Sequence, residues 1–406
     1  HELTGWMPLS PGSRVEVGER AYIFKSYLEK TRGNGHDEAS GSFRSNRTHA
    51  ALASRLLVFG REIAAAALFG AGKAMDAFAI ARTVAGFLSR SLGRGAMEKA
   101  FMPIFSRLFQ RGPRRKAWEA VAPPLTGTVL LSLLLATAEA LLAPAVIGLL
   151  FPGLAAHGLA GAAARMTRIL FPGMFLGTLA AVLSGFLLFF RKEAGVELSG
   201  VLFAAGAILG IFLFRPAGGP YSLAYGVLLG LTLQILFLMP FMLKTISRPA
   251  LEFTCRPSLK VHGAVGRKYA AGLAPVGLNE MLSRGPALVD KIMASFLRVG
   301  SLSYLYFAME IFRLPFALIT RTINRSVFRD FSEYVALMDK ERSKKLLIDG
   351  IRINLFLLAP LSILMVTLAN PIVSLLLERL HFSAQAVTST ALALQFYSIG
   401  LIGWGI

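Results

Sequence analysis

From residue 48 onward the chain alternates long apolar runs with short polar loops. About ten runs are long enough to cross a hydrocarbon layer roughly 30 Å thick as helices. They cover residues 48–69, 75–105, 119–150, 162–190, 195–214, 221–243, 269–296, 301–327, 347–377 and 385–406. The pattern predicts an all-α polytopic membrane protein. Residues 1–47 break it: "EKTRGNGHDEASGSFRSNRTHA" is polar, rich in Gly and Ser and without periodicity, which predicts a mostly disordered tail. The tail lacks the apolar core of a signal peptide.

Gly and Pro interrupt several runs, as in "LFPGMFLG" and "FRLPFALI". Membrane helices tolerate such breaks where neighbours satisfy the freed backbone groups. "GAILG" and "GVLLG" have the spacing of small residues at close helix contacts. The last run ends in "IGLIGWGI" with no closing basic loop, so the second half of the pattern reads as incomplete.

Composition agrees with the pattern. Of 406 residues, 54% are hydrophobic and 16% charged, and the mean hydropathy is +0.58. A net charge of +20 would suggest nucleic acid on a soluble domain. Here the Lys and Arg instead concentrate in alternate loops, "SRLFQRGPRRKAW", Arg191-Lys192, "LKTISRP" through "VGRKYA", and "DKERSKK". Between them, "FPGLAAHGLAGA" and "RPAGGPYS" carry almost no positive charge. The positive-inside rule then places the basic loops and the N-terminus in the cytoplasm and excludes a nucleic-acid partner. The single Cys255 and six scattered His offer neither a disulfide framework nor metal-ligand spacing, so no cofactor or metal is expected.

The first run contains Arg55, Arg61 and Glu62, each costing about 2.5–3.5 kcal/mol at a helix centre on insertion scales. "SRLLVFGREIAAA" from Ser54 aligns without a gap to "SRGPALVDKIMAS" from Ser283. Arg55 pairs with Arg284, and Arg61-Glu62 with Asp290-Lys291. The offset between the copies spans six runs, an even number, so both cross in the same direction, the signature of two parallel six-helix bundles. At 100° per residue each copy presents a polar, small-residue arc that should face a watery cavity or the bundle interior. The organisation predicted is a tail over 1–47, a first lobe over 48–244, a basic linker over 245–268 and a second, incomplete lobe over 269–406. The adjacent pairs Arg61-Glu62 and Asp290-Lys291 could instead be ion pairs that hold helices together. Arg55 and Arg284 have no adjacent acid and favour the cavity, where a planar guanidinium suits a phosphate.

These stretches, with "GAGKAMDAFAIA", "GAMEKAFMPIFSRL", "DKIMASFLRVGSLSYLYFA" and "YSIGLIGWGI", resemble the MurJ (MviN) lipid II flippases of the MOP exporter superfamily over residues 50–406. The resemblance implies two helical lobes in a V. It also implies movement of a lipid-linked oligosaccharide with a pyrophosphate headgroup across the bacterial inner membrane. The family's two first-helix arginines match Arg55 and Arg61, and its second-helix acid matches Asp76. Its central cavity arginine falls on Ser89, leaving Arg90 adjacent, and a following acid falls on Arg94. In "FAMEIFRLP" Glu310 stands where an Arg is expected and Arg313 where a Glu is expected, within one helical turn. Arg55, Arg61, Arg90, Arg284 and Arg313 are thus the candidate substrate-binding residues. Glu62, Asp76, Asp290, Lys291 and Glu310 are candidates for gating or coupling, whether by titration or by membrane potential. The coupling ion is open.

Alternatives remain. A flippase for another polyprenyl-linked glycan, or an inactive scaffold-like relative, would share these features. A drug exporter on the same fold would want acids and aromatics in its cavity. An enzyme is disfavoured: "GAGKAM" lacks the earlier Gly and the Ser/Thr of a phosphate loop, and no acidic pair or Ser/His/Asp set stands out.

Overall fold

A computed structural model of the chain describes residues 14–17, 20–23, 56–90, 101–111, 114–190, 192–246, 264–316 and 340–404. The chain divides into two compact units, His1–His49 and Ala50–Ile406. In the first, strands β1 (Arg14–Val17) and β2 (Arg20–Ile23) pair antiparallel. This corrects the expectation of a structureless tail at those eight positions. "RVEV" and "RAYI" place β-branched and aromatic residues opposite one another, Val15 against Tyr22, and such cross-strand pairs stabilise a ladder.

The described elements of the second unit are all helical. Its elements are α1 (56–69), α2 (Lys73–Arg90), α3 (Met102–Arg111), α4 (Arg114–Leu150), α5 (Pro152–Ala156), α6 (Ala160–Phe189) and α7 (Glu193–Gly218). They continue with α8 (Ser222–Ile246), α9 (Ala264–Ala294), α10 (301–316), α11 (Lys340–Thr367), α12 (Ala369–Leu377), α13 (Ala384–Ile399) and α14 (Leu401–Trp404). Four described stretches are long and apolar enough to cross a membrane: Ala122–Leu150, Ala160–Phe189, Glu193–Thr245 and Glu341–Thr367. Outward leucines are left bare, Leu141 at 73% and Leu149 at 81% exposure. Such a surface suits lipid and not water. The run expected at 347–377 divides at Leu368 into α11 and α12, and the basic linker between α8 and α9 lies outside the described residues.

The glycine motifs do what their spacing predicts. Gly206 and Gly210 of α7 face Gly226 and Gly230 of α8 so closely that a Cβ on Gly210 would lie 2.6 Å from the Gly226 Cα. A Cβ on Gly230 would lie 2.4 Å from the Phe203 carbonyl oxygen. Only hydrogen fits there, so the two backbones pack directly.

One proline break is also satisfied. Pro144 inside α4 has no N–H for the Ala140 carbonyl, and the Arg168 Nε of α6 donates to that carbonyl at 3.2 Å. Tyr269 of α9 and Thr128 of α4 share a hydrogen bond of 2.8 Å, and Tyr269 packs edge-on against Phe101.

At one end of the unit the α1–α2, α4–α5, α9–α10 and α12–α13 turns converge. The Ala67 carbonyl accepts from the His381 backbone N–H at 3.3 Å, and a Cβ on Gly70 would strike the His381 carbonyl at 2.3 Å. A Cβ on Gly153 would lie 2.1 Å from the Ser295 carbonyl oxygen. Gly300 adopts φ +99°, a conformation glycine permits, and starts α10. This end is closed by backbone against backbone.

Candidate functional site

Asp76 explains how α10 begins. Its two carboxylate oxygens accept from the backbone N–H of Gly300 at 2.6 Å and of Ser303 at 2.8 Å, and from the Ser303 hydroxyl at 2.5 Å. The first N–H groups of a helix lack partners within it, and an acid near them also suits the helix dipole. Here the cap comes from α2, far away in sequence. Asp76 is 2% exposed, and both of its carboxylate oxygens clasp the start of α10.

Six residues further along α2, Arg82 enters a charged cluster. Glu62 of α1 accepts from Arg61, from Arg82 at 3.1 Å and from the Tyr306 hydroxyl of α10 at 2.8 Å. Arg82 also donates to the Tyr306 hydroxyl, and its guanidinium carbon lies 5.4 Å from the centre of that ring. Glu310 lies 3.9 Å from Arg82 and pairs with Arg313 at 3.2 Å. Arg61 and Glu62 are 4% and 1% exposed. A carboxylate at such depth is tenable because charged donors replace the water it has lost.

Beside this cluster lies a cavity of about 300 Å³. Arg82 and Thr83 of α2 form one wall, and Ser283, Arg284, Asp290 and Lys291 of α9 another. Tyr306, Glu310 and Arg313 of α10 complete the polar lining, with Tyr397 of α13. Lys291 donates to the Thr83 hydroxyl, joining α9 to α2, and Arg284 pairs with Glu280 at 3.1 Å. The Arg284 Nε is buried and has no hydrogen-bond partner among the described residues. Four cations against two acids give the lining a positive balance, and several forked N–H donors in a recess suit a multiply charged oxyanion.

The sequence candidates separate accordingly. Arg284, Arg313, Asp290, Lys291 and Glu310 meet at the cavity. Arg61 and Glu62 do not line it; they lie in the ion cluster between α1, α2 and α10. Arg55 and the side chain of Arg90 lie outside the described residues, as do Arg94 and the side chain of Ser89. Arg82, Thr83 and Tyr306 were not anticipated. Arg82 carries a signal of its own, since an isolated cation inside "FAIARTVAGF" is costly unless it is used.

A lipid-facing helical unit closed at one end around a cationic recess is the build of a membrane transporter, and comparison with solved structures gives it the MOP-superfamily fold. A lipid II flippase MurJ in an inward closed conformation superposes with a TM-score of 0.74 at 24% identity, over 89% of this chain and 73% of that one. An inward-facing multidrug-resistance transporter of the MATE family, MOP superfamily, superposes with a TM-score of 0.65 at 17% identity, over 89% and 83%. The family model "Lipid II flippase MurJ" matches residues 65–406. The chain belongs to the lipid II flippase MurJ family. The lipid II flippase MurJ of Burkholderia cenocepacia is 27% identical over 359 residues, covering 87% of this chain and 68% of that protein.

Proposed function

We propose that this chain flips lipid II, a polyprenyl-pyrophosphate-linked peptidoglycan precursor, from the cytoplasmic to the periplasmic leaflet of the bacterial inner membrane. The observation that carries this reading is the cavity in which Arg82, Arg284, Lys291 and Arg313 converge from α2, α9 and α10. A diphosphate cannot enter hydrocarbon bare. Guanidinium and ammonium groups in a wet recess replace its hydration, while the polyprenyl tail stays in lipid. At about 300 Å³ the cavity holds a diphosphate and not the sugars and peptide attached to it. The rest of the headgroup passes when the two lobes rock apart, as alternating access requires.

The orientation follows from the loops. With basic loops and the N-terminus in the cytoplasm, the closed end, where Asp76 clasps Gly300 and Ser303, faces the periplasm. Arg284, whose Nε has no hydrogen-bond partner among the described residues, contacts the headgroup from α9. Asp290 and Lys291 beside it, and Glu310 beside Arg313, are the charges whose pairing the headgroup changes. The cations recognise the diphosphate and leave the glycan unspecified, so a flippase for another polyprenyl-linked glycan is the second reading.

The test is rescue of a bacterial strain depleted of its own lipid II flippase. Wild type restores growth, and Arg284→Ala with Arg313→Ala abolishes rescue at unchanged abundance in the membrane. Failure of an abundant, inserted wild type to rescue overturns the lipid II reading. Fluorescent lipid-linked glycans in proteoliposomes then separate another glycan from an inactive scaffold.

A further inference from the structure

One buried acid stands apart from the cation-lined cavity. Glu139 lies on the inward face of α4 in line with Ser132, Ala136, Ala143 and Ile147, all buried, whereas Leu134, Leu141 and Leu149 point outward and are exposed. It is 6% exposed, and among the described residues neither carboxyl oxygen has a hydrogen-bond or ion-pair partner. Counted from Leu150, the end of the helix, it sits about 16 Å deep at 1.5 Å per residue, near the middle of a layer roughly 30 Å thick. An ionised carboxylate there would lose its water and gain nothing, whereas the neutral acid loses far less. No group of three or more His, Cys, Asp or Glu gathers among the described residues, and a lone carboxyl suits a proton better than a metal ion.

The backbone beside Glu139 is also unusual. Pro144 removes the helical donor of the Ala140 carbonyl, and Arg168 of α6 supplies the replacement. The turn that follows Glu139 is therefore a place where α4 can bend, and a cation lies at that level. Among the described residues, the other charged groups on the packed elements are engaged elsewhere or exposed. On α6, Arg165 lies over the Tyr221 ring; on α2, Asp76 holds Gly300 and Ser303, and Arg82 holds Glu62. On α9, Tyr269 bonds Thr128, Glu280 pairs with Arg284, and Asp290 and Lys291 line the cavity. Lys73 opens α2 as an exposed residue, and Arg107 of α3 is exposed.

We propose that Glu139 is a proton-binding site in the first lobe. It holds a proton in the closed arrangement and passes it to water when α4 bends at Pro144, the negative charge left behind being met by Arg168. This rests on the transport reading above and adds a proton to the flipping cycle.

Two measurements on the full chain in liposomes test it. Dicyclohexylcarbodiimide, which adds to protonated carboxyls in apolar surroundings, should modify Glu139 of the wild type at neutral pH, as mapped by peptide mass. An unmodified Glu139 overturns the site. An imposed pH gradient should change the wild-type flipping rate several-fold, leave E139Q unaffected, and act again on E139D, which keeps the carboxyl and controls for misfolding. A gradient response in E139Q equal to that of the wild type overturns the exchange. If the wild type moves no lipid at all, the transport reading fails, while the labelling still decides whether Glu139 holds a proton.

Discussion

Arg61-Glu62 on α1 and Asp290-Lys291 on α9 occupy equivalent places in the internal repeat, yet they meet different surroundings. The first pair is buried at 4% and 1% exposure, locked by Arg82 and Tyr306. The second faces the cavity, with Lys291 reaching across to Thr83. Repetition along the chain preserves the angle at which a charge leaves its helix. What that charge meets depends on the neighbouring helix, and α2 and α10 close over the α1 copy. One copy has become part of the frame, and the other remains where a ligand can reach it.

The comparison breaks most sharply at Glu62. Glu62→Gln leaves Arg61 without its carboxylate and Arg82 with only the more distant Glu310, and losing one member of a buried ion pair costs about 3–5 kcal/mol. Thermal unfolding in detergent should show that loss, and an unfolding curve equal to wild type would remove the cluster from the frame. Asp76→Ala, which strips the cap from α10, should cost about 2 kcal/mol, the upper range for a helix cap, read by the same assay. Tyr306→Phe removes one hydroxyl that donates to a carboxylate and should cost about 1.5 kcal/mol, again by thermal unfolding. Asp290→Asn, on the open copy, should change stability by no more than about 0.5 kcal/mol while altering transport in proteoliposomes. If Asp290→Asn proves as destabilising as Glu62→Gln, the two copies are equivalent after all.

Much of this was legible in the sequence where one residue type has one geometric consequence. "GAILG" and "GVLLG" specify a close helix pair because only glycine allows the 2.6 Å approach that a Cβ would make. The apolar runs specify helices because hydrocarbon leaves backbone groups no other partner. The repeat located α9 as the cavity wall through Arg284 and Lys291. The misses share a cause: their partners are remote in sequence. The clasp of Asp76 on Gly300 and Ser303 joins residues 224 and 227 positions apart. Tyr306 is one of two tyrosines in "SLSYLYFA", and packing alone distinguishes it from Tyr304. Arg82 was overshadowed by the family match at Ser89 and Arg90, although its isolation in an apolar helix was itself a reason to expect a buried acid nearby.

The central claim is that the recess between α2, α9 and α10 takes a diphosphate while the α1 pair stays out of reach. Single cysteines at Ala287, which lines the recess, and at Ala65, buried at 1% exposure, test it in a chain whose Cys255 is replaced by Ser. A charged, water-soluble thiol reagent should react at position 287 and not at position 65, and inorganic pyrophosphate should slow the reaction at 287 about tenfold or more, as two or three charge-assisted contacts would produce. Labelling at 287 that ignores pyrophosphate, or equal labelling at both positions, would contradict the account.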